Sequence, residues 1–200
     1  MRVYLASRSP RRSELLRQIG VAHRLLDVEV DESPRAGESP GDYVLRLAAE
    51  KAAAGREVLR DRRDVLVLGA DTAVVIDDEI LGKPRDRGHA LTMLAALSGT
   101  THRVFSGVAV IGETLQTRLS VSEVSFRRID RAEAEAYWAS GEPCDKAGGY
   151  AIQGVGAVFV SDLHGSYSGV MGLPLYETAE LLGNQGIVLP GTRLSGQDNH

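Results

Sequence analysis

A single cysteine, Cys144, stands in 200 residues, so the chain can close no internal disulfide. That points to a reducing compartment, and the expected location is the cytoplasm. No apolar run approaches the length of a membrane span. The apolar stretch at Met1 to Ala6 is too short for a signal peptide and reads as a first strand. A basic excess is also lacking: the net charge is -4, which argues against a dedicated nucleic-acid binder. The five histidines (His23, His89, His102, His164, His200) show no metal-ligand spacing, so zinc is set aside. There is no Gly-x-Ser-x-Gly elbow, no Cys-His pairing and no Walker A loop, which removes the usual nucleophiles and one phosphate-binding device. Repeats, low-complexity blocks and Pro- or Ser-rich linkers are absent as well. With 43% hydrophobic and 25% charged residues, what remains is an ordinary globular chain of one domain or two lobes.

Apolar patterning then sets an order of elements. Val3 to Ala6 is a strand, and Ser9 with Pro10 opens a helix through Leu15, Leu16 and Ile19 that Gly20 stops. His23 to Val30 reads as a second strand and Asp31 to Gly37 as a polar loop. Ser39-Pro40-Gly41-Asp42 starts a longer helix in the manner of a capping box, with Val44, Leu47, Ala48 and Ala52 on its apolar stripe. Lys51 falls on the same stripe, so it either snorkels to solvent or reaches into a cleft. Val65–Leu68 and Ala73–Ile76 are β-branched runs separated by Gly69-Ala70-Asp71-Thr72, with a hairpin turn at Asp77-Asp78. Asp86 caps a helix closed by Gly99. Thr101 to Arg127 is strand broken by a turn at 111–114, and Asp130 with Glu133 opens a short helix. A glycine-rich stretch (141–156), a strand near Ala157 to Leu163 and a helix from Pro174 complete the body. The fold class is α/β: a mixed sheet flanked by helices. Residues 1–190 form one domain, and 191–200 read as a frayed tail.

The residues that carry chemistry are scattered. Ser7-Arg8-Ser9-Pro10-Arg11-Arg12 places three arginines and two hydroxyls at a strand-to-helix turn, where free amides and guanidinium forks suit phosphate oxygens; a solvated basic helix start is an equal reading. Asp71 follows a strongly apolar strand, where an acid can hold Mg2+ or activate water, or can simply serve its own turn. Lys83 lies in a stiff Gly-Lys-Pro turn and Lys146 follows Asp145, although a lone lysine is more often a surface residue than a ligand contact, and Asp31 with Glu32 reads as a solvated pair. Scattered cations, a few acids and no good nucleophile suit phosphoanhydride hydrolysis, in which positioning and charge neutralisation dominate.

Taken in order, seven motifs become specific. They are Ala6 to Arg12, Arg46 to Ala52, Gly69 to Thr72, Gly82-Lys83-Pro84, Ser106 to Val110, Asp145 to Gly154 and Gly172 to Leu175. The set resembles the Maf family of nucleoside triphosphate pyrophosphatases over about residues 3 to 190. The resemblance implies two lobes around a cleft, similar to the inosine triphosphate pyrophosphatases, a divalent cation (Mg2+ or Mn2+) and a possible homodimer. It implies Asp71 as proton acceptor with Lys51 and Lys83 beside it, and Glu32 with Asp71 as metal ligands. Ser7, Ser9, Arg11, Arg12, Thr72, Lys146 and Gln153 would bind a small nucleotide substrate. Arg11, Thr72 and Gln153 match the branch that prefers dTTP and UTP, whereas the branch preferring 7-methyl-GTP has Trp, Gln and Glu there. The alternatives are a nucleotide-binding regulator of cell division in which hydrolysis is incidental, and an enzyme of the same chemistry acting on damaged or modified pyrimidine nucleotides.

Overall fold

A computed structural model describes residues 1–191, so nearly all of the expected tail lies outside the described residues. Its elements are β1 (Arg2–Ala6), α1 (Pro10–Gln18), β2 (His23–Leu26), α2 (Pro40–Val58), β3 (Val65–Ile76), β4 (Glu79–Leu81), α3 (Arg87–Leu97) and β5 (Thr101–Ile111). They continue with β6 (Leu115–Phe126), α4 (Arg131–Ala139), three short 3-10 turns between residues 142 and 159, β7 (Val160–His164), α5 (Tyr167–Met171) and α6 (Leu175–Asn184). The strands form one mixed sheet in the order β2-β1-β3-β5-β6-β7, with β4 paired to the far half of β3. β1 runs parallel to β2 and β3, and the remaining pairs are antiparallel. The expected mixed sheet with flanking helices is the architecture found.

Four local expectations need correction. β2 stops at Leu26, and residues 27–39 run on as irregular chain toward α2. The two runs around Gly69 to Thr72 are a single twelve-residue strand, β3, because every residue there finds a partner on β5. The strand expected from Ala157 begins only at Val160, since Val155–Phe159 forms a 3-10 turn. Ser9 occupies the N-cap of α1, but its side chain makes no cap hydrogen bond.

β3 organises the molecule, because alternate residues on a strand face opposite sides of the sheet. Leu66, Leu68 and Ala70 join one core cluster with α1 and α6, while Val74 joins a second with α3, β6 and α4. Between those two packed ends, Thr72 faces the same side as they do and Asp71 the other, where α2 lies. On the opposite face, α2 lies unusually close to the sheet, and glycines permit it. A Cβ on Gly69 would come 2.2 Å from the Ala48 carbonyl oxygen, and one on Gly107 would come 2.5 Å from that of Val44. The buried stripe of α2, rich in Gly41, Ala48, Ala52 and Gly55, completes the contact and carries Lys51 inward. Turn chemistry fits the hairpin as well: Asp77 and Asp78 both have positive φ, as a two-residue connection of twisted strands requires.

Candidate active site

A cleft of about 820 Å³ opens where the two packed ends of the sheet meet, within the size range of small-molecule sites. Ser7, Ser9, Arg11, Arg12, Glu32, Lys51, Asp71, Thr72, Lys83, Lys146 and Gln153 all line it. Residues up to 146 positions apart in sequence thus converge on one cavity.

Lys51 lines it and is only 9% exposed. Its Nζ donates to Asp71 Oδ1 at 2.7 Å and lies 2.6 Å from Glu32 Oε1. The lysine therefore reaches the cleft rather than solvent, and Asp71 is a mid-strand residue with a side-chain partner, not a turn aspartate serving its own backbone. Glu32 and Asp31 part company: Asp31 accepts from the Ser33 amide, while Glu32 swings onto the lysine. Partial burial would raise the Glu32 carboxyl, but the Lys51 hydrogen bond and charge, with Lys83 and Arg12, hold it below its ordinary range.

The strand-to-helix turn is ordered by Ser7. Its buried hydroxyl oxygen accepts from the Ser9 amide and from Arg12, whose Nε also donates to the Gly172 carbonyl at 2.7 Å. Burial pulls the Arg12 guanidinium below its ordinary value, opposed by Asp71, reinforced by Arg11 and opposed again by Glu32. With Ser9 making no side-chain cap, the Arg11 and Arg12 amides at the start of α1 are donors available to an anion. Thr72 is fixed too. Ser106 spends its hydroxyl proton on the Gly169 carbonyl at 2.7 Å, so Thr72 donates to Ser106 at 3.0 Å. Lys146 pairs with Asp145, which also faces Arg11 at 3.9 Å. Lys83 and Gln153 are exposed toward the cleft, and among the described residues neither holds a hydrogen-bond partner.

Sequence reasoning missed what holds the 27–39 segment in place. The Tyr43 hydroxyl donates to the Glu32 carbonyl at 2.9 Å. Burial, with Asp71 and Glu32 adding to it, pushes the phenol up to about 12. Arg46 grips Glu38 through two nitrogens at 2.5 and 2.7 Å and the Ser33 carbonyl at 3.1 Å. Arg46 opens the Arg46 to Ala52 motif, but nothing in its spacing tied it to Glu38, eight residues earlier.

Glu32 and Asp71 share one ammonium and each retains a second carboxylate oxygen. Hard oxygen donors in that number suit Mg2+ or Mn2+, which bind through one or two carboxylates and take the rest of their shell from substrate phosphates and water. No group of three or more potential metal-binding side chains occurs among the described residues.

An α/β protein with a cation-lined cleft beside two carboxylates is the class that fold and site define. The chain belongs to the Maf family: the family description "Maf-like protein" matches residues 2–185. A dTTP/UTP pyrophosphatase of Alkalilimnicola ehrlichii is 61% identical, covering 90% of this chain and 91% of the relative. Its counterpart in Saccharophagus degradans is 57% identical, covering 90% and 87%. Among solved structures, a dITP/XTP pyrophosphatase of Mycobacterium abscessus is 20% identical over 64% of this chain and 74% of that one, with a TM-score of 0.40. The Staphylococcus aureus Ham1 protein is 14% identical over 65% and 72%, at 0.44.

Proposed function

We propose that this chain is a cation-dependent pyrophosphatase that hydrolyses dTTP and UTP to the nucleoside monophosphate and pyrophosphate in the cytoplasm. One observation carries the reading: eleven residues from distant stretches line a single cleft, in which Lys51 joins two carboxylates. The names of the relatives at 61% and 57% identity support the substrate.

Arg11, Arg12, Lys83, Lys146 and the first amides of α1 cradle the triphosphate, and Lys51 holds Asp71 and Glu32 in register. Glu32 and Asp71 would hold a divalent cation, which would supply neutralisation of phosphate charge. Asp71 orients a water and takes its proton as the oxygen attacks the α-phosphorus. The bond from that phosphorus to the bridging oxygen breaks, and pyrophosphate leaves with the electron pair. Positioned base help of this kind contributes roughly 10²–10⁴ in rate. Gln153 presents a donor and an acceptor that pair with the N3–H and a carbonyl of uracil or thymine; the same amide turned over would pair with cytosine, so base choice rests on how Gln153 is held.

The test is product analysis of the purified protein with a panel of nucleoside triphosphates and Mg2+ or Mn2+, with and without chelator. UMP or dTMP plus pyrophosphate, lost on chelation, is the expected result. Diphosphate plus orthophosphate, or turnover indifferent to base, overturns it.

A further inference from the structure

Gln153 stands on a short turn in which the Gly154 amide bonds back to the Ala151 carbonyl at 3.1 Å. Nothing inside four residues fixes where such a turn sits, and an exposed amide side chain at its tip would sample many positions. Both ends are held from outside the cleft. At the entry, the Ala151 amide donates to the Tyr137 hydroxyl at 3.1 Å. At the exit, the Val155 and Gly156 amides donate to the two carboxylate oxygens of Glu142, each at 2.9 Å. The Tyr137 hydroxyl donates in turn to Glu142 at 2.6 Å, which joins the two clamps into one unit. Tyr137 is 3% exposed and packs edge-on against Phe159 in the second core cluster, so the unit is anchored in the body of the fold. Gly156 makes room for it, since a Cβ there would come 2.6 Å from the Tyr137 hydroxyl and 2.8 Å from the Ala151 carbonyl oxygen. Neither Tyr137 nor Glu142 lines the cleft.

We infer that Tyr137 and Glu142 are positioning residues that set the Gln153 turn and thereby the choice of pyrimidine base. The inference rests on the pyrophosphatase reading above. A carboxylate is suited to the task because two amides a residue apart need two acceptor oxygens on one rigid plane. A glutamine offers only one acceptor oxygen, and an alanine offers none. Desolvation disfavours the Glu142 charge, but the Tyr137 hydroxyl and the two amides outweigh it and hold the carboxyl below its ordinary range, so the clamp is ionised at neutral pH.

The test compares the native chain with Tyr137→Phe, Glu142→Gln and Glu142→Ala for kcat and KM on UTP and CTP. Amide hydrogen exchange at Val155 and Gly156 is followed without nucleotide. Expected is a fall on the order of 10-fold in the UTP-over-CTP ratio of kcat/KM, as displacement of a binding group produces. It is carried by a higher KM for UTP with kcat nearly constant. Glu142→Gln loses less than Glu142→Ala, and exchange at the two amides quickens by about 10-fold in the Glu142 variants. Should Glu142→Ala fail to fold, Tyr137→Phe, which removes one oxygen, carries the test alone. An unchanged base ratio with intact circular dichroism overturns the inference and leaves the pyrophosphatase reading standing, as does an equal loss of kcat on both nucleotides. A native chain that cleaves neither UTP nor dTTP overturns both.

Discussion

At the scale of single residues, Lys51 shows how a sequence can pose a question that only packing answers. Its place on the stripe of α2 was legible, and so was the choice between solvent and cleft. That it would sit between Glu32 and Asp71 was not, because the three lie on a loop, a helix and a strand. In the proposed mechanism Asp71 is the base. Asp71→Asn keeps an oxygen to accept from Lys51, so the fold is expected to stand, with circular dichroism and the urea midpoint close to the native values. Loss of the base is expected to lower kcat by roughly 10²–10⁴ while KM changes little. A steady-state comparison on dTTP checks it, and full turnover by the variant removes Asp71 from the mechanism.

At the scale of elements, the closeness of α2 to the sheet decides the geometry of the site. The sequence shows glycines in Gly69-Ala70-Asp71-Thr72 and Ser106-Gly107-Val108, but not that both face one helix. The pairing of Asp71 with Gly107 across β3 and β5 puts them there. In Gly69→Ala the new methyl meets Ala48 and Ala52 backbone, which cannot swing aside like a side-chain end. Overpacking of this sort costs about 1–3 kcal/mol or more. Lifting α2 also draws Lys51 from Asp71. A lower urea midpoint together with reduced turnover is expected; an unchanged midpoint would show that the helix has slack. The error over β2 belongs to the same scale. Val28 and Val30 continue the β pattern of His23–Leu26, but β1 ends at Ala6, opposite Leu26, and offers no further partner. The segment instead turns to the cleft, where Tyr43 and Arg46 hold it.

At the scale of the whole molecule, acid stability falls in two windows. His102 is 1% exposed, and burial pulls its imidazole down from 6.5 to about 4. Between those values the unfolded chain binds a proton that the folded one refuses, so stability rises with pH across that range. The contribution lost by pH 4 is roughly 3 kcal/mol. Glu38 runs through a lower window. Its hydrogen bonds from Arg46, against some desolvation, hold it at about 2 instead of 4.5. Its contribution is present above 4.5 and is lost as pH falls toward 2. Urea midpoints measured from pH 7 to pH 3 are expected to decline first between 6.5 and 4, and His102→Gln is expected to flatten that limb. A native profile that is flat above pH 4 contradicts the assignment.

The sequence by itself determined the fold class, the order of most elements and the identity of the cleft residues, because periodicity, capping and the ordered motifs are local and survive without neighbours. Tertiary structure alone decided that β3 runs unbroken through Asp71 and Thr72, that Ser7 rather than Ser9 orders the first turn, and that Glu38, Tyr137 and Glu142 hold the loops bearing Glu32 and Gln153. Those are hydrogen bonds between groups with no fixed spacing along the chain. They exist only once the sheet has brought its partners into register.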